Sequence, residues 1–205
     1  MLSLKRMFYA IKTAKKHKLA INKILKDPSS CAKDLCDINC SDLKKGNIKA
    51  LVLDFDGVLA SHGQIKLNVR TINWLKAALK IYPKTTYLLS NNPKGRRFSW
   101  LNKNFPEINL IAGIKKKPYP DGLNAIMNDA KVKSSEVVLV DDRLLTGVLA
   151  SLNAKTKIIY ITEPRENLFS VFFLQEGFFA TLRFLEKKIF CGDGFSLTQS
   201  SNLVQ

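Results

Sequence analysis

From residue 49 onward, short apolar runs alternate with stretches of helical period, and no other feature of the sequence narrows the possible folds as much. Strand candidates fall at 49–54, 85–90, 109–112, 136–141 and 157–162, with helix candidates between them at 68–82, 93–104, 120–132 and 143–152. The run Ala50-Leu51-Val52-Leu53 is apolar at every position, as in a strand covered on both faces. Strand and helix in regular succession predict an α/β, Rossmann-like fold, a parallel sheet with helices on both faces. Pro93 and Pro120 suit first helical positions, with Asn92 as the N-cap before Pro93.

At 205 residues and 46% hydrophobic content, the chain has enough apolar material for one domain with short extensions. We divide it into a basic amphipathic extension (1–40), a core (41–166), a Phe-rich helical segment (167–190) and a loose tail (191–205). No uncharged stretch approaches the roughly 18 residues that a membrane span requires. The first 26 residues hold eight Lys and Arg and no acid, half of the net charge of +16. That excess asks for an anionic partner: a phosphate-bearing substrate, a nucleic acid or a membrane surface. Leu4, Met7, Phe8, Ile11 and Ala14, then Ile21, Ile24 and Leu25, recur at helical spacing. Three readings of this helix stand: a membrane-surface helix, a solvated helix with one face on the domain, and a mitochondrial presequence. The third is opposed by a single Arg and a single Ser before Pro28. Cys31, Cys36, Cys40 and Cys191 lack the C-x2-C pairing of zinc sites and read as reduced thiols of a reducing compartment, with no secretory signal ahead of them.

The first core strand runs into Asp54-Phe55-Asp56-Gly57, so two carboxylates stand where a parallel sheet places its ligands, beyond the strand C-termini. Asp and Gly also mark ordinary turns, and this tetrapeptide alone does not decide. Other strands end in matching chemistry: Ser90-Asn91-Asn92 after the second, Lys117-Pro118 after the third, Asp141-Asp142 ending the fourth. A carboxylate nucleophile, a hydroxyl donor, an ammonium and further carboxylates at one edge suit phosphoryl transfer with a bound divalent cation.

These motifs, in this order, resemble the haloacid dehalogenase (HAD) superfamily. Within it the chain resembles more closely the YqeG-type hydrolases of subfamily IIIA, related to the mitochondrial phosphatidylglycerophosphate phosphatases. The resemblance spans about residues 41 to 190, through Leu43-Lys44, Asp54-x-Asp56, Ser90-Asn91-Asn92, Lys117-Pro118 and Asp142-Arg143-Leu144-Leu145-Thr146. It implies that Asp54 takes the phosphoryl group as an aspartyl phosphate and that Asp56 is the general acid and base. It further implies that Ser90 binds phosphoryl oxygens with the backbone N–H groups of Asn91 and Asn92, and that Lys117 neutralises charge. Mg2+ would be held by Asp54, the Asp56 main-chain carbonyl and Asp142. The fourth motif departs from the family's Gly-Asp-Gln-x-x-Thr-Asp: Asp141 replaces the Gly, Arg143 the Gln and Gly147 the second Asp. Asp141 is the candidate replacement ligand, against the tendency of adjacent strand residues to point oppositely. On this reading, Gly147→Asp should improve use of Mg2+.

The gaps on either side of the second strand are too short for a cap domain, so the site is expected to be open and to accept a phosphate presented by something large. Lys94, Arg96, Arg97, Lys103, Lys115 and Lys116 crowd the same mouth, and eight of the twelve Phe lie between 169 and 195. Residues 169–190 read as a helical pair broken near Gly177, packed on the sheet or a dimer partner, or lying at a bilayer. His17 reads as solvent-facing and His62 as an ordinary loop residue. The leading function is a Mg2+-dependent phosphomonoesterase at an anionic membrane surface. A phosphatidylglycerophosphate-like lipid is the substrate that the resemblance implies. The location would be cytoplasmic and peripheral to a membrane, or alternatively the mitochondrial matrix. A phosphatase of nucleic-acid ends and a non-catalytic binding module are the alternatives. The sequence sets no oligomeric state.

Overall fold

A computed structural model describes residues 4–93, 95–165 and 173–191, the side chains of the last segment from 177 to 190. The Phe169, Phe172 and Phe195 positions and the 192–205 tail lie outside the described residues. Six parallel strands, β1 (Cys31–Ala32), β2 (Ala50–Leu53), β3 (Thr86–Leu88), β4 (Asn109–Leu110), β5 (Val137–Asp141) and β6 (Lys157–Ile161), lie in the order β1-β6-β5-β2-β3-β4. The chain runs outward from β2 through β3 to β4, then returns to place β5 on the other side of β2. The crevice at the C-terminal ends of β2 and β5 is therefore a topological switch point, where such sheets bind ligands.

Alternation along each strand builds two cores. Leu51, Leu53, Leu88, Val138 and Val140 face α3 (Cys40–Lys45), α4 (Val69–Ile81) and α5 (Arg96–Asn104). Ala50, Val52, Tyr87, Val137 and Leu139 face α1 (Leu4–Lys16), α2 (Lys18–Lys26), α6 (Asp121–Ala130), α7 (Leu149–Ala154) and α8 (Phe173–Cys191). Asn68 caps α4, its side chain accepting from Thr71 N at 2.8 Å. The five sequence-derived strands stand in place, each trimmed by up to three residues at its ends. The helix expected from Pro93 begins instead at Arg96 behind Gly95, whose φ of 90° is a conformation that favours glycine. Asn92 is not its cap; its N–H turns back to Ser90 Oγ at 3.2 Å. The helix expected to start at Arg143 opens as a π-helical turn, Leu144–Val148, before α7. The break expected near Gly177 is absent, since α8 runs through it.

The N-terminal segment is more closely built into the domain than its composition suggested. Cys31–Ala32 pairs with β6 as an edge strand, and Ala10, Ala14 and Ile21 are buried in the second core. Cys31, Cys36 and Cys40 are free thiols. The small residues of α1 face inward while Leu4, Met7, Phe8 and Ile11 are exposed, so the helix packs by its narrow side and presents its bulky apolar side outward. His17 is not simply solvent-facing, as its Nε2 lies 3.2 Å from Asn153 Oδ1. Deleting residues 1–26 would open the core as well as remove charge.

Candidate active site

Asp54 is the first residue past β2, with its N–H bonded to Val140 O at 3.0 Å and its side chain at the crevice. Gly57, at φ 83°, turns the chain back so that its N–H reaches Ala60 O at 2.8 Å. A Cβ at Gly57 would come within 2.3 Å of Asp142 Oδ2, so the glycine also makes room for that carboxylate. Asp141 closes β5, and Asp142 follows it off the end of the strand.

Oxygen atoms of Asp54, Asp141 and Asp142 converge within 4.8 Å of one another, all three residues being buried. The expectation that Asp141 and Asp142 would point apart is corrected here, because the pleat that alternates side chains ends with Asp141. Lys117, only 2% exposed, reaches into the trio and pairs with Asp54 Oδ1 at 2.9 Å and with Asp141 Oδ2. Burial alone would lower the lysine's pKa; the flanking Asp141 and Asp54 outweigh it and hold the ammonium charged. Burial pushes Asp54 above the usual carboxylate range against the pull of Lys117, and raises Asp141 to about 6. Burial and the neighbouring Asp141 charge push Asp142 well up, against the pull of Arg183. Three carboxylates face Lys117, Arg183 and Arg143, and the charge of Arg143 is taken up by Glu186, so the site stays short of positive charge.

Ser90 lies just beyond β3, buried, with its hydroxyl accepting from Asn92 N. Asn91 donates from Nδ2 to Lys117 O at 3.4 Å, tying the second and third motifs together, while Asn92 is exposed. Asp56 is held by both arms of Arg97, at 2.5 and 2.9 Å, and Arg97 in turn lies over the Phe55 and Phe98 rings. The structure thus gathers the carboxylates of Asp54, Asp141 and Asp142, pairs Lys117 with the first two, and sets Asp56, Ser90, Asn91 and Asn92 on the adjoining turns.

Several partners of the site were not legible. Arg97, one of the cations around the mouth, clamps Asp56. Arg183 and Glu186 of α8 are both buried: Arg183 Nη1 donates to Asp142 Oδ2 at 2.9 Å, and Glu186 accepts from Arg143 Nε and from Leu144 N. The site is therefore not open as expected. No cap is inserted after Gly57 or Asn92 among the described residues, but α8 lies against the acidic trio from the far end of the chain. His62 is no idle loop residue; it is buried and stacks on Phe179 at 4.1 Å.

Gly147 settles the altered fourth motif. A Cβ there would lie 2.0 Å from Asp141 Cγ, so the Asp141 carboxylate already fills the space that a side chain at 147 would need. Gly147→Asp is thus expected to destabilise the protein by about 1–3 kcal/mol through overpacking, rather than to improve use of Mg2+. Pairing it with Asp141→Gly should recover most of the loss; thermal unfolding of the single and paired variants checks this.

Parallel strands, a switch-point crevice and an aspartate beyond the central strand facing a buried lysine define a HAD-type phosphatase, an enzyme that acts on phosphate esters. Within that class the sequence matches the family described as Mitochondrial PGP phosphatase over residues 11–164, and the chain belongs to that family. The match takes in much of the segment 1–40 that the motifs did not reach. The chain is similar to "Probable phosphatase YqeG" of Bacillus subtilis (strain 168), 29% identical over 124 residues that cover 60% of this chain and 69% of the relative. One crystal structure aligns with a TM-score of 0.50 at 14% identity, over 70% of this chain and 85% of that one, a likeness of fold alone. A haloacid dehalogenase-like protein of unknown function from Agrobacterium tumefaciens str. C58 aligns at a TM-score of 0.38 and 14% identity, over 63% and 90% of the two chains.

Proposed function

We propose that this phosphatase is a Mg2+-dependent phosphomonoesterase that works through an aspartyl phosphate on Asp54, on a phosphatidylglycerophosphate-like lipid presented at an anionic membrane. The observation that carries the chemistry is the convergence of Asp54, Lys117 and Asp142 beyond β2 and β5. Asp54 attacks phosphorus as the bond to the leaving alkoxide breaks, and Asp56, protonated and released from the Arg97 clamp, supplies that alkoxide's proton. Asp56 then takes a proton from water, whose oxygen displaces Asp54 and yields free phosphate. Ser90 and the N–H groups of Asn91 and Asn92 bind phosphoryl oxygens, while Lys117 holds Asp54 in line and offsets charge on the phosphate.

The residues fit a divalent cation. Hard carboxylate oxygens suit Mg2+, and Asp142 Oδ1 is buried without a hydrogen-bond partner among the described residues. Asp54, the Asp56 carbonyl and Asp142 would hold it, with Asp141 beside them. Bound there, the cation would neutralise the charge between nucleophile and phosphate.

Support for the membrane comes from the apolar rows of α1 (Leu4, Met7, Phe8, Ile11) and α8 (Phe178, Phe184, Leu185, Ile189), exposed on a chain of net charge +16. No helix among the described residues is long and apolar enough to cross a membrane. We read the chain as peripheral to a membrane on its cytoplasmic or mitochondrial-matrix side. The nucleic-acid alternative loses its stacking groups: Phe98 is buried, Trp100 packs on Phe105, and Tyr119 stacks on Tyr9 at 4.2 Å. A chelator should stop phosphate release and added Mg2+ should restore it. Vesicles of anionic lipid should carry the protein down on sedimentation, partly reversed by salt, and Phe8→Ser or Phe184→Ser should weaken this; sedimentation with zwitterionic vesicles alone would count against the surface reading.

A further inference from the structure

α8 buries Phe190 in the second core, as an ordinary surface helix would, but the rest of its two faces is unusual. Its buried face carries the charged Arg183 and Glu186, exposed by 4% and 3%, whereas Phe178, Phe184 and Ile189 on the outer face are exposed by 60%, 63% and 62%. Inward charge and outward apolar area are both costly in water, so each face is suited to something other than solvent.

The inner face is matched to the acidic site. Arg183 Nη1 lies 2.9 Å from Asp142 Oδ2, and Glu186 accepts from Arg143 Nε at 3.0 Å, from Leu144 N at 2.9 Å and from Leu145 N at 3.4 Å. Phe179 stacks on His62 beside the first motif. The guanidinium thus occupies one oxygen of Asp142, while the other, Oδ1, is buried and unpartnered among the described residues. A buried arginine is stable there only while the carboxylates it faces carry unbalanced negative charge. A divalent cation held by the same carboxylates removes that balance and places like charge beside the guanidinium. Arginine and cation are therefore rivals for Asp142.

The outer face has a partner of matching chemistry. Beside its exposed apolar row, α8 presents Lys188, and α2, which packs against α8, belongs to the strongly basic N-terminal segment. Apolar side chains with cations around them suit an anionic phospholipid bilayer.

We propose that Arg183 is a built-in counter-ion of the acidic site and that α8 couples two events, the seating of its outer face on anionic lipid and the withdrawal of Arg183 in favour of a divalent cation. The proposal rests on the lipid-phosphatase reading above. Linkage makes the coupling reciprocal: lipid tightens cation binding and cation tightens lipid binding by the same factor.

The test is a Mn2+ titration of the full chain followed by the paramagnetic resonance of free Mn2+, with and without phosphatidylglycerol-containing vesicles and with vesicle blanks. Without vesicles, Arg183→Gln should bind Mn2+ roughly tenfold or more tighter than wild type, the scale of one lost charge-assisted hydrogen bond. Vesicles should tighten wild-type binding and leave Arg183→Gln unchanged. Phe184→Ser should keep the wild-type affinity and lose the response to vesicles. Mn2+ should also raise the unfolding temperature of Arg183→Gln by more than that of wild type, which loss of a merely structural contact would not produce. If Arg183→Gln does not fold, Glu186→Gln, which loosens α8 without touching Asp142, should shift affinity the same way. Unchanged or weaker Mn2+ binding in Arg183→Gln, or in Glu186→Gln where it stands in for it, overturns the proposal, as does a wild-type affinity indifferent to vesicles. So does a dimer dissociated by Phe184→Ser, which would assign the outer face to a second copy. If wild type binds no Mn2+ at all, it is the metal-dependent reading that fails; if it binds Mn2+ and hydrolyses lipid while Arg183→Gln changes nothing, the coupling alone fails.

Discussion

Asp54→Asn is expected to abolish turnover while leaving the fold in place. The amide is close to isosteric and keeps an oxygen within reach of Lys117 Nζ, now 2.9 Å from Asp54 Oδ1, but it cannot form the acyl phosphate. Removing one of three crowded buried carboxylates also relieves repulsion, since burial and Asp56 both push Asp54 toward its neutral form. The metal-free variant should therefore unfold at the wild-type temperature or slightly above. Phosphate release should fall by at least about four orders of magnitude, as for loss of a covalent nucleophile. Steady-state rates beside thermal unfolding check both halves.

Lys117→Met carries the second large effect, on stability and rate together. Methionine fills the volume of the lysine stem, but Asp54 and Asp141 then lose the ammonium that both share. Leaving buried charges unpaired costs about 3–5 kcal/mol. Part of that cost is avoided by protonation, because both carboxylates already lie above their usual range through burial and would rise further without Lys117. The sign follows: a carboxyl raised in the folded state favours folding at low pH, and this contribution is lost as pH rises through the folded value. The variant's deficit should therefore be small near pH 4–5 and full by about pH 8, with a fall in unfolding temperature of roughly 10 °C for a domain of this size. A deficit independent of pH would show that the lysine acts by packing alone.

The core strands were readable because parallel strands buried on both faces are continuous apolar runs; Ala50–Leu53 and Val137–Val140 need no partner to be recognised. The first, second and fourth motifs were readable because each follows such a run, whereas Lys117 follows the short edge strand Asn109–Leu110 and was readable only from its order among the others. The two-residue strand Cys31–Ala32 was not, having neither length nor period. Which side of α1 and of α8 faces the domain was not legible, because the sequence leaves a packed face and a membrane-surface face open for each. In α1 the inward positions are Ala10, Thr13 and Ala14, and in α8 they include Arg183 and Glu186. Charged residues three apart on a helix ordinarily read as its wet side, and only the acidic trio beneath explains why these two are buried. The relation of Asp141 to Gly147 was equally hidden, since six positions in sequence do not reveal that one side chain fills the other's space.

The central claim is that Asp54 dephosphorylates a membrane-presented lipid, and the most direct measurement is inorganic phosphate released from phosphatidylglycerophosphate in anionic mixed vesicles, by wild type and by Asp54→Asn, beside a 5′-phosphorylated oligonucleotide. The account predicts Mg2+-dependent release from the lipid by wild type, none by Asp54→Asn, and slow or no release from the oligonucleotide. Release by Asp54→Asn at the wild-type rate, or a wild type that cleaves the oligonucleotide phosphate and ignores the lipid, would contradict it.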